Sequence, residues 1–214
     1  MVQFSEMMFV LRRLFLLFVI GLAVYCFWPR TSSMAGFDPE RMAELQIAVW
    51  KATADKKPQS ALMPLYHIYN GQYRLPPVSA LKMSFDTVRA LRLFHTSPDA
   101  AGQEKALLPL QTVFVTLRSG TKSSFDSNAA ARMELLIWML RADRAKRAQL
   151  TTAWSESLAL LYGCSVEECL PAAKQFSIAS KLADEGKWSE AQSGALEAWK
   201  LVLGIGRHLA SGSG

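Results

Sequence analysis

The sequence predicts an all-α protein, and three observations support this class. Its apolar residues are mostly Leu, Ala, Met, Trp and Phe, which favour helices because β-branched side chains lose rotamer freedom against the preceding helical turn. Apolar residues recur at helical spacing, and no segment shows the alternation of a strand. Short clusters of turn-forming residues separate these segments. We therefore expect one N-terminal transmembrane helix followed by a compact domain of about seven helices packed as antiparallel helical hairpins.

The composition is that of a folded domain with a modest basic charge. Half of the 214 residues are apolar and a fifth are charged, which allows a sizeable hydrophobic core and excludes disorder of the whole chain. The net charge of +6 suits nucleic acid, anionic lipid or an acidic protein and does not choose among them. We divide the chain into a membrane anchor with a short linker (1–35), a helical domain (36–208) and a flexible tail (209–214).

The N-terminal segment is the predicted membrane anchor. The 15 residues from Leu14 to Trp28 carry no charge, and the apolar stretch from Met7 to Leu11 lengthens the segment if Arg12 and Arg13 extend their charges towards water. An aromatic residue followed by Pro29 at its end favours a retained anchor. A cleaved secretory signal is the alternative interpretation. Both interpretations direct the segment to a membrane.

The charges on the two sides of the apolar run are balanced, so they do not predict the orientation of the anchor. We predict it from the general sequence arrangement of signal-anchors instead. Arg12 and Arg13 precede the apolar run, whereas Arg30 and Arg41 follow it. A short N-terminal tail with an arginine pair beside an apolar run is typical of a signal-anchor. We therefore expect a single-pass protein of a bacterial inner membrane whose helical domain faces the periplasm or exterior.

Turn and cap residues mark the first helices of the domain. Asp38 is suited to cap a helix that begins at Pro39, since proline fits the first helical position. A second helix is predicted from Pro58 to Tyr69, where Asn70-Gly71 ends it. These features predict short connections between neighbouring helices.

The next two helices are predicted from an apolar face and a cap. One begins at Pro77. The apolar residues that we expect on its buried face are Leu81, Phe85, Val88 and Leu91. Asp99 then starts a helix that Pro109 should kink or divide, because proline lacks the amide hydrogen.

Capping patterns also locate the later helices. Asp126 is suited to cap one helix, and Ser165 with Glu168 forms the pattern of a capping box. Two further helices are expected over about 166–185 and 189–203.

The last two helices carry a short resemblance to a known repeat family. The segment Leu182 to Val202 resembles the second half of a tetratricopeptide unit through Gly186, Trp188, Ala191 and Ala198. The resemblance covers one hairpin and does not recur along the chain. It therefore implies helical-hairpin packing at this place.

The sequence predicts no catalytic, metal-binding or cofactor-binding site. His67, His95 and His208 fall in separate elements, and there is no Cys-x-x-Cys or His-x-x-x-His pair. A serine nucleophile elbow and a phosphate-binding loop are also missing from the sequence.

Two cysteines form the sharpest local prediction. If Ser165 is the N-cap, Cys164 and Cys169 stand at the two positions that a hydrophobic staple brings together. In an oxidising compartment they could form a disulfide, whereas in the cytosol they would pack as apolar residues.

A basic run defines a second candidate surface. Arg141, Arg144, Lys146 and Arg147 lie close together in sequence and could bind anionic lipid or nucleic acid. The alternative is an ordinary solvated helix surface. We do not expect nucleic acid as a partner of an outward-facing domain.

The missing motifs and the predicted anchor favour an interaction protein, an accessory or assembly subunit of a membrane or periplasmic complex. It would contact the membrane through Leu14 to Trp28 and a protein through its helical domain. One alternative is an enzyme, or an enzyme component, whose site has no sequence motif. Another is a cytoplasmic-facing module that binds anionic lipid or nucleic acid through its basic helices. Five tryptophans of the domain are expected mainly to pack in the core, namely Trp50, Trp138, Trp154, Trp188 and Trp199.

Overall fold

The computed structural model describes residues 2–27, 32–96 and 99–211. Within these ranges the protein has nine α-helices and no strand, which confirms the all-α class. The helices are α1 (Val2–Phe27), α2 (Pro39–Ala54), α3 (Leu62–Tyr66), α4 (Pro77–Thr96), α5 (Ala100–Thr121), α6 (Ser127–Ala142), α7 (Leu150–Tyr162), α8 (Val166–Asp184) and α9 (Trp188–Ser211).

Most predicted helix ends are confirmed because they depend on local chemistry. Asp38 and Asp126 accept backbone hydrogen bonds at the starts of α2 and α6. The Ser165 hydroxyl accepts from the Glu168 amide at 3.2 Å, and the Ser165 amide donates to the Glu168 carboxylate at 2.8 Å. These two bonds form the capping box of α8. Gly163 ends α7 in the left-handed region, with φ of +70°, which glycine adopts without steric cost.

The predicted second helix is divided into three short pieces. A 3-10 turn at Pro58–Ala61 leads into α3, and a π-helical turn follows at His67–Gln72. Pro64 lies inside α3 and has no amide hydrogen to donate, so a regular helix is weakened here. The Asn70 side chain donates to the Leu75 carbonyl at 2.8 Å and holds the chain as it leaves the turn.

Helix α4 buries only part of the predicted face: Leu91 is 4% exposed and Val88 packs against the core, whereas Leu81 and Phe85 do not. Leu81 and Phe85 are 42% and 55% exposed. The buried face also carries Ala80, Met83 and Thr87. Small residues on this face allow the neighbouring helices to approach closely, and the larger side chains then remain on the outer face.

Two other helices continue beyond the predicted limits. Helix α5 runs through Pro109 without a break, so this proline does not divide it. Helix α9 continues to Ser211, and the predicted tail over 209–214 therefore begins inside a helix. Residues 212–214 lie outside the described part of the chain.

The prediction of a transmembrane helix is not supported. Among the described residues, no helix is both long and apolar enough to cross a membrane. Arg12 and Arg13 interrupt the apolar sequence of α1. The uninterrupted part that follows them within α1 is about 21 Å long at 1.5 Å per residue. A bilayer's hydrocarbon core is about 30 Å thick.

The helices of the domain form a closed ring. Each helix from α2 to α9 contacts the next one along the chain, and α9 returns to contact α2. The Trp199 indole donates to the Gln46 side-chain oxygen at 2.6 Å across this closing contact. Helix α1 lies outside the ring and contacts α4. Because the ring is closed, its inward faces surround a common interior.

The last hairpin packs through small residues, in agreement with its tetratricopeptide-like pattern. Ala191, Ala195 and Ala198 of α9 have no accessible surface. A methyl group added at Gly194 would lie 3.2 Å from the Ala179 side chain of α8. The backbones of α8 and α9 therefore approach closely here.

The predicted linker contributes to the packed domain. Met34 and Phe37 are 8% and 5% exposed. The ring of Phe37 packs edge-on against Trp199, with centroids 5.1 Å apart. Met34, at the end of the predicted linker, therefore packs with the first residues of the predicted domain.

Candidate functional site

The ring of helices surrounds a half-open cavity of about 420 Å³. Small-molecule sites typically measure about 300 to 1,000 Å³ and are mostly apolar, with a few polar groups that orient the ligand. This cavity has that character. Its aromatic lining comes from Trp50, Tyr69, Tyr73, Phe94, Phe114, Trp138, Trp154, Tyr162, Phe176 and Trp199.

A continuous aromatic wall forms one side of the cavity. Trp154 stacks on Phe176 with centroids 4.8 Å apart, and Phe176 meets Trp199 edge-on at 5.1 Å. These contacts join α7, α8 and α9. Aromatic pairs in such arrangements have fixed relative orientations, so the wall is a rigid apolar surface.

Two tyrosines place hydroxyl groups on another part of the cavity wall. The Thr87 hydroxyl donates to the Met83 carbonyl at 2.9 Å, which leaves it to accept from Tyr69, also at 2.9 Å. Burial raises the pKa of Tyr69 above its ordinary value, and it raises the pKa of Tyr73 to about 12. Both hydroxyls therefore stay protonated at neutral pH.

Helix α6 places an acidic and a basic side chain on the cavity wall. Glu134, Trp138 and Arg141 follow one another at helical spacings of four and three residues, so they share one face. The Trp138 indole donates to the Glu134 carboxyl at 2.8 Å. Burial raises the pKa of Glu134, and the indole hydrogen bond and the charge of Arg141 offset this effect in part.

Arg141 is held by an aromatic ring and an ion pair. Its guanidinium carbon lies 4.3 Å from the centre of the Trp50 ring. Its Nη2 donates to Asp184 Oδ1 at 3.1 Å, while Arg147 Nη2 donates to Asp184 Oδ2 at 2.9 Å. Burial lowers the pKa of Arg141, and Asp184 opposes that shift. We call these three residues the Arg141–Asp184–Arg147 triad.

The four residues of the predicted basic surface are therefore divided in the structure. Arg141 and Arg147 converge on one carboxylate, and Arg141 lines the cavity instead of the outer surface. Lys146 pairs with Asp143 at 3.3 Å. Arg144 is exposed. The prediction of one basic surface formed by all four residues is corrected to an interior group and an exposed group.

The structure brings the two predicted cysteines together. Cys164 and Cys169 are paired as a disulfide at the start of α8, with Cα atoms 6.9 Å apart. Cys169 is fully buried, whereas Cys164 is partly buried. The redox state of this pair in the cell stays a prediction that depends on the compartment.

The histidines lie in different surroundings. His67 packs beside the Tyr66 ring, with centroids 5.7 Å apart. His95 lies on the cavity wall, where burial and the charge of Lys56 lower its pKa. The side chain of His208 lies outside the part of the chain that the structure describes. Within that part, no group of three His, Cys, Asp or Glu side chains is placed to hold a metal ion.

The cavity and its polar residues were missed by the sequence reasoning. One signal was present in α6, where Glu134, Trp138 and Arg141 share a helical face with the buried Ile137. A charged residue on an otherwise apolar face indicates a polar group inside the fold. The position of Asp184 at the same place depends on how α6 and α8 pack.

Comparison with known proteins gives no match: no family model, no curated protein and no solved structure matches this chain.

Proposed function

We propose that this chain is a membrane-anchored binding protein whose ring of helices holds a small apolar ligand. The observation that carries the proposal is the half-open cavity of about 420 Å³ with its aromatic walls. A core that served packing alone would be filled at the density of an organic crystal. An apolar cavity of ligand size is the usual form of a binding site.

The anchor in this proposal is the apolar part of α1. Side chains from Leu14 to Leu17 are each at least 58% exposed and cover all sides of the helix. A helix that is apolar on every side needs an apolar environment on every side. We assign that environment to a lipid bilayer, with Arg12 and Arg13 at the level of the headgroups.

An exposed stripe on α4 supports a position close to the membrane or to a membrane partner. Val78, Leu81 and Phe85 lie on one face of this helix and are 42%, 42% and 55% exposed. Helix α4 is also the helix that α1 contacts. The stripe therefore lies on the side of the domain that carries the anchor.

The protein would act as an accessory or assembly subunit of a membrane or periplasmic complex. In this proposal the domain stands on the periplasmic or outer side of the inner membrane. The ligand would be presented to a partner protein or protected from water in the cavity.

The test is saturable binding of dodecan-1-ol to the full chain in phosphatidylcholine nanodiscs, measured by calorimetry against empty nanodiscs. We expect about one site per chain. Replacing the lining residue Leu161 by Trp should weaken binding about tenfold or more, because the larger ring occupies the cavity.

The matched control is Leu160→Trp. Leu160 is the preceding residue in α7 and is also partly buried, but it is not part of the cavity wall. It should bind dodecan-1-ol as the unmodified chain does. Heat signals equal to those of empty nanodiscs for the unmodified chain would refute the proposed function.

An acid–base enzyme is the second candidate, and the raised pKa of Glu134 favours it. General acid–base chemistry also needs a positioned partner or substrate within hydrogen-bond reach. The Glu134 carboxyl accepts from the Trp138 indole, which donates a hydrogen bond and cannot take up a proton. We therefore place ligand binding ahead of catalysis.

A further inference from the structure

The polar end of the cavity is built from two guanidinium groups and two carboxyl groups, and Asp184 and Glu134 both line the cavity with Arg141. Two guanidinium groups of the Arg141–Asp184–Arg147 triad share one carboxylate, at 3.1 Å and 2.9 Å. One carboxylate balances one of these charges and leaves the other without a direct ion pair. Arg141 lines the cavity, whereas Arg147 lies behind it and donates to the Arg141 carbonyl at 3.3 Å.

Two hydrogen-bond donors of residues that line the cavity have no acceptor within the described part of the chain. The Arg141 Nε and the Trp154 Nε1 are buried without a partner among the described residues. Buried donors without acceptors cost free energy. A guanidinium can bind a second carboxylate, since it has five N–H groups and its Nη2 alone is bonded to Asp184. The Arg141 side chain also keeps 16% of its surface accessible.

Glu134 determines whether an anion can be accepted beside Arg141. An ionised Glu134 would repel an anion, whereas a protonated Glu134 can donate a hydrogen bond to it. Burial raises the pKa of Glu134 and so favours the protonated form. A protonated Glu134 is therefore compatible with an anion beside Arg141, and the probes below test this directly.

The geometry points to an apolar molecule with a carboxylate head, a fatty carboxylate, as the ligand class of this cavity. The head lies against Arg141 and the chain follows the wall formed by Trp154, Phe176 and Trp199. This inference rests on the proposed function, because it assumes that the cavity is a ligand site. An alkylammonium would be repelled by Arg141. An alkanol is uncharged and would leave the Arg141 guanidinium without a second ion pair.

The experiment compares three probes with the same chain length: dodecanoate, dodecan-1-ol and dodecylammonium. Each is titrated below its micelle concentration into the full chain in phosphatidylcholine nanodiscs, with empty nanodiscs as the reference. We expect dodecanoate to bind at least about tenfold more tightly than dodecan-1-ol, since hydrogen bonds to charged groups contribute about 1.5–3 kcal/mol. Dodecylammonium should bind most weakly.

Two variants test the role of the cavity-facing arginine. Arg141→Met should remove the preference for dodecanoate and leave dodecan-1-ol binding in place. Arg147→Met is the matched control, because it removes the same charge from the same carboxylate but not from the cavity wall. It should keep most of the preference. An equal loss of the preference for dodecanoate in both variants would contradict direct contact between the carboxylate head and Arg141.

A further variant keeps the inference testable if Arg141→Met fails to fold. Glu134→Gln cannot ionise and preserves an oxygen that can accept from Trp138, so it should bind dodecanoate as tightly as the unmodified chain or more tightly. A loss of dodecanoate binding in this variant would contradict the inference. Equal affinity for dodecanoate and dodecan-1-ol would overturn the carboxylate assignment but not the proposed function. Binding of none of the probes would overturn both.

Discussion

Glu134 is a carboxyl group surrounded by protein atoms on the wall of the cavity. Transfer of an ionised carboxylate from water to such a place costs free energy, and burial therefore raises its pKa from the ordinary 4.5. The Trp138 indole and the charge of Arg141 recover part of this cost. The position of Glu134 thus lowers the stability of the domain at neutral pH, which is common at sites that serve function.

The raised pKa predicts an unusual dependence of stability on pH. Between the ordinary value and the raised value, the folded state holds a proton that the unfolded state has released. Stability therefore falls as pH rises through this interval. Glu134→Gln removes this contribution, so we expect it to raise the melting temperature at pH 8 and to change it little at pH 4. Thermal unfolding followed by circular dichroism measures both.

The control for this prediction is Glu197→Gln. Glu197 lies on the surface with 57% of its side chain exposed and pairs with Lys200 at 2.9 Å. Exposed pairs of this kind contribute about 0–1 kcal/mol, so its removal should have little effect at either pH. A Glu134→Gln chain that is less stable than the unmodified chain at pH 8 would contradict the prediction. It would show that the folded state stabilises the ionised carboxylate of Glu134.

Local rules predicted some of these residues and missed others. The juxtaposition of Cys164 and Cys169 follows from the capping geometry within six residues of one helix start, so the sequence is sufficient for it. The convergence of Arg141 and Asp184 depends on packing between α6 and α8. Spacing along the chain carries no information about such a contact, and Arg141 was therefore assigned to a basic surface.

Among the helices, α1 differs from the others because its apolar side chains face outward on every side. If this surface is held by lipid, charge placed in its middle should abolish attachment. We expect the full chain to float with phosphatidylcholine vesicles in a density gradient. The double variant Leu17→Asp and Phe18→Asp should remain at the bottom, since each acid costs about 3 kcal/mol in hydrocarbon.

The matched control places the same two substitutions on the domain. Ile178 and Leu201 are exposed apolar residues of α8 and α9, at 51% and 40%. Ile178→Asp with Leu201→Asp should float as the unmodified chain does. Equal flotation of both double variants would assign the α1 surface to a protein contact instead of a lipid contact.

Helix boundaries were predicted well where a cap determines them and poorly where packing does. Asp38, Asp126 and Ser165 satisfy the first amides of their helices through their own side chains, a local effect. The π-helical turn at His67–Gln72 has no comparable signal. The rotation of α4 also depends on its neighbours, because both of its faces carry apolar residues.

For the molecule as a whole, the proposed orientation in the membrane would determine the redox state of the cysteine pair. A domain that faces the periplasm would keep Cys164 and Cys169 oxidised. In a Cys26→Ser background, we expect a membrane-impermeant maleimide to label intact cells after treatment with a reductant and not before it. The measurement is gel-shift labelling of the full chain.

Labelling that needs cell lysis but no reductant would place the domain in the cytosol with reduced cysteines. That result would favour the alternative of a cytoplasmic module that binds anionic lipid through exposed basic residues such as Arg144. A chain without any cysteine is the control for background labelling.

The fold class was predictable because composition and periodicity act over short distances, whereas the ring was not. Closure requires α2 to pair with α9, and the Gln46–Trp199 hydrogen bond joins residues 153 positions apart. The sequence shows an apolar face on each helix but does not show which face meets which. The cavity was missed for the same reason, since it exists where eight helices meet.

Ring closure between the first and last helices of the domain also orders the events of folding. A ribosome releases α9 after α2 to α8, so the ring stays open until α9 has emerged, and its aromatic interior remains in contact with water until then. Contacts of such large sequence separation form slowly. If α1 is the membrane anchor that we propose, it emerges before α9, and a nascent chain would be attached to the membrane before the ring closes. A small apolar molecule present at that time could then enter the cavity as α9 docks.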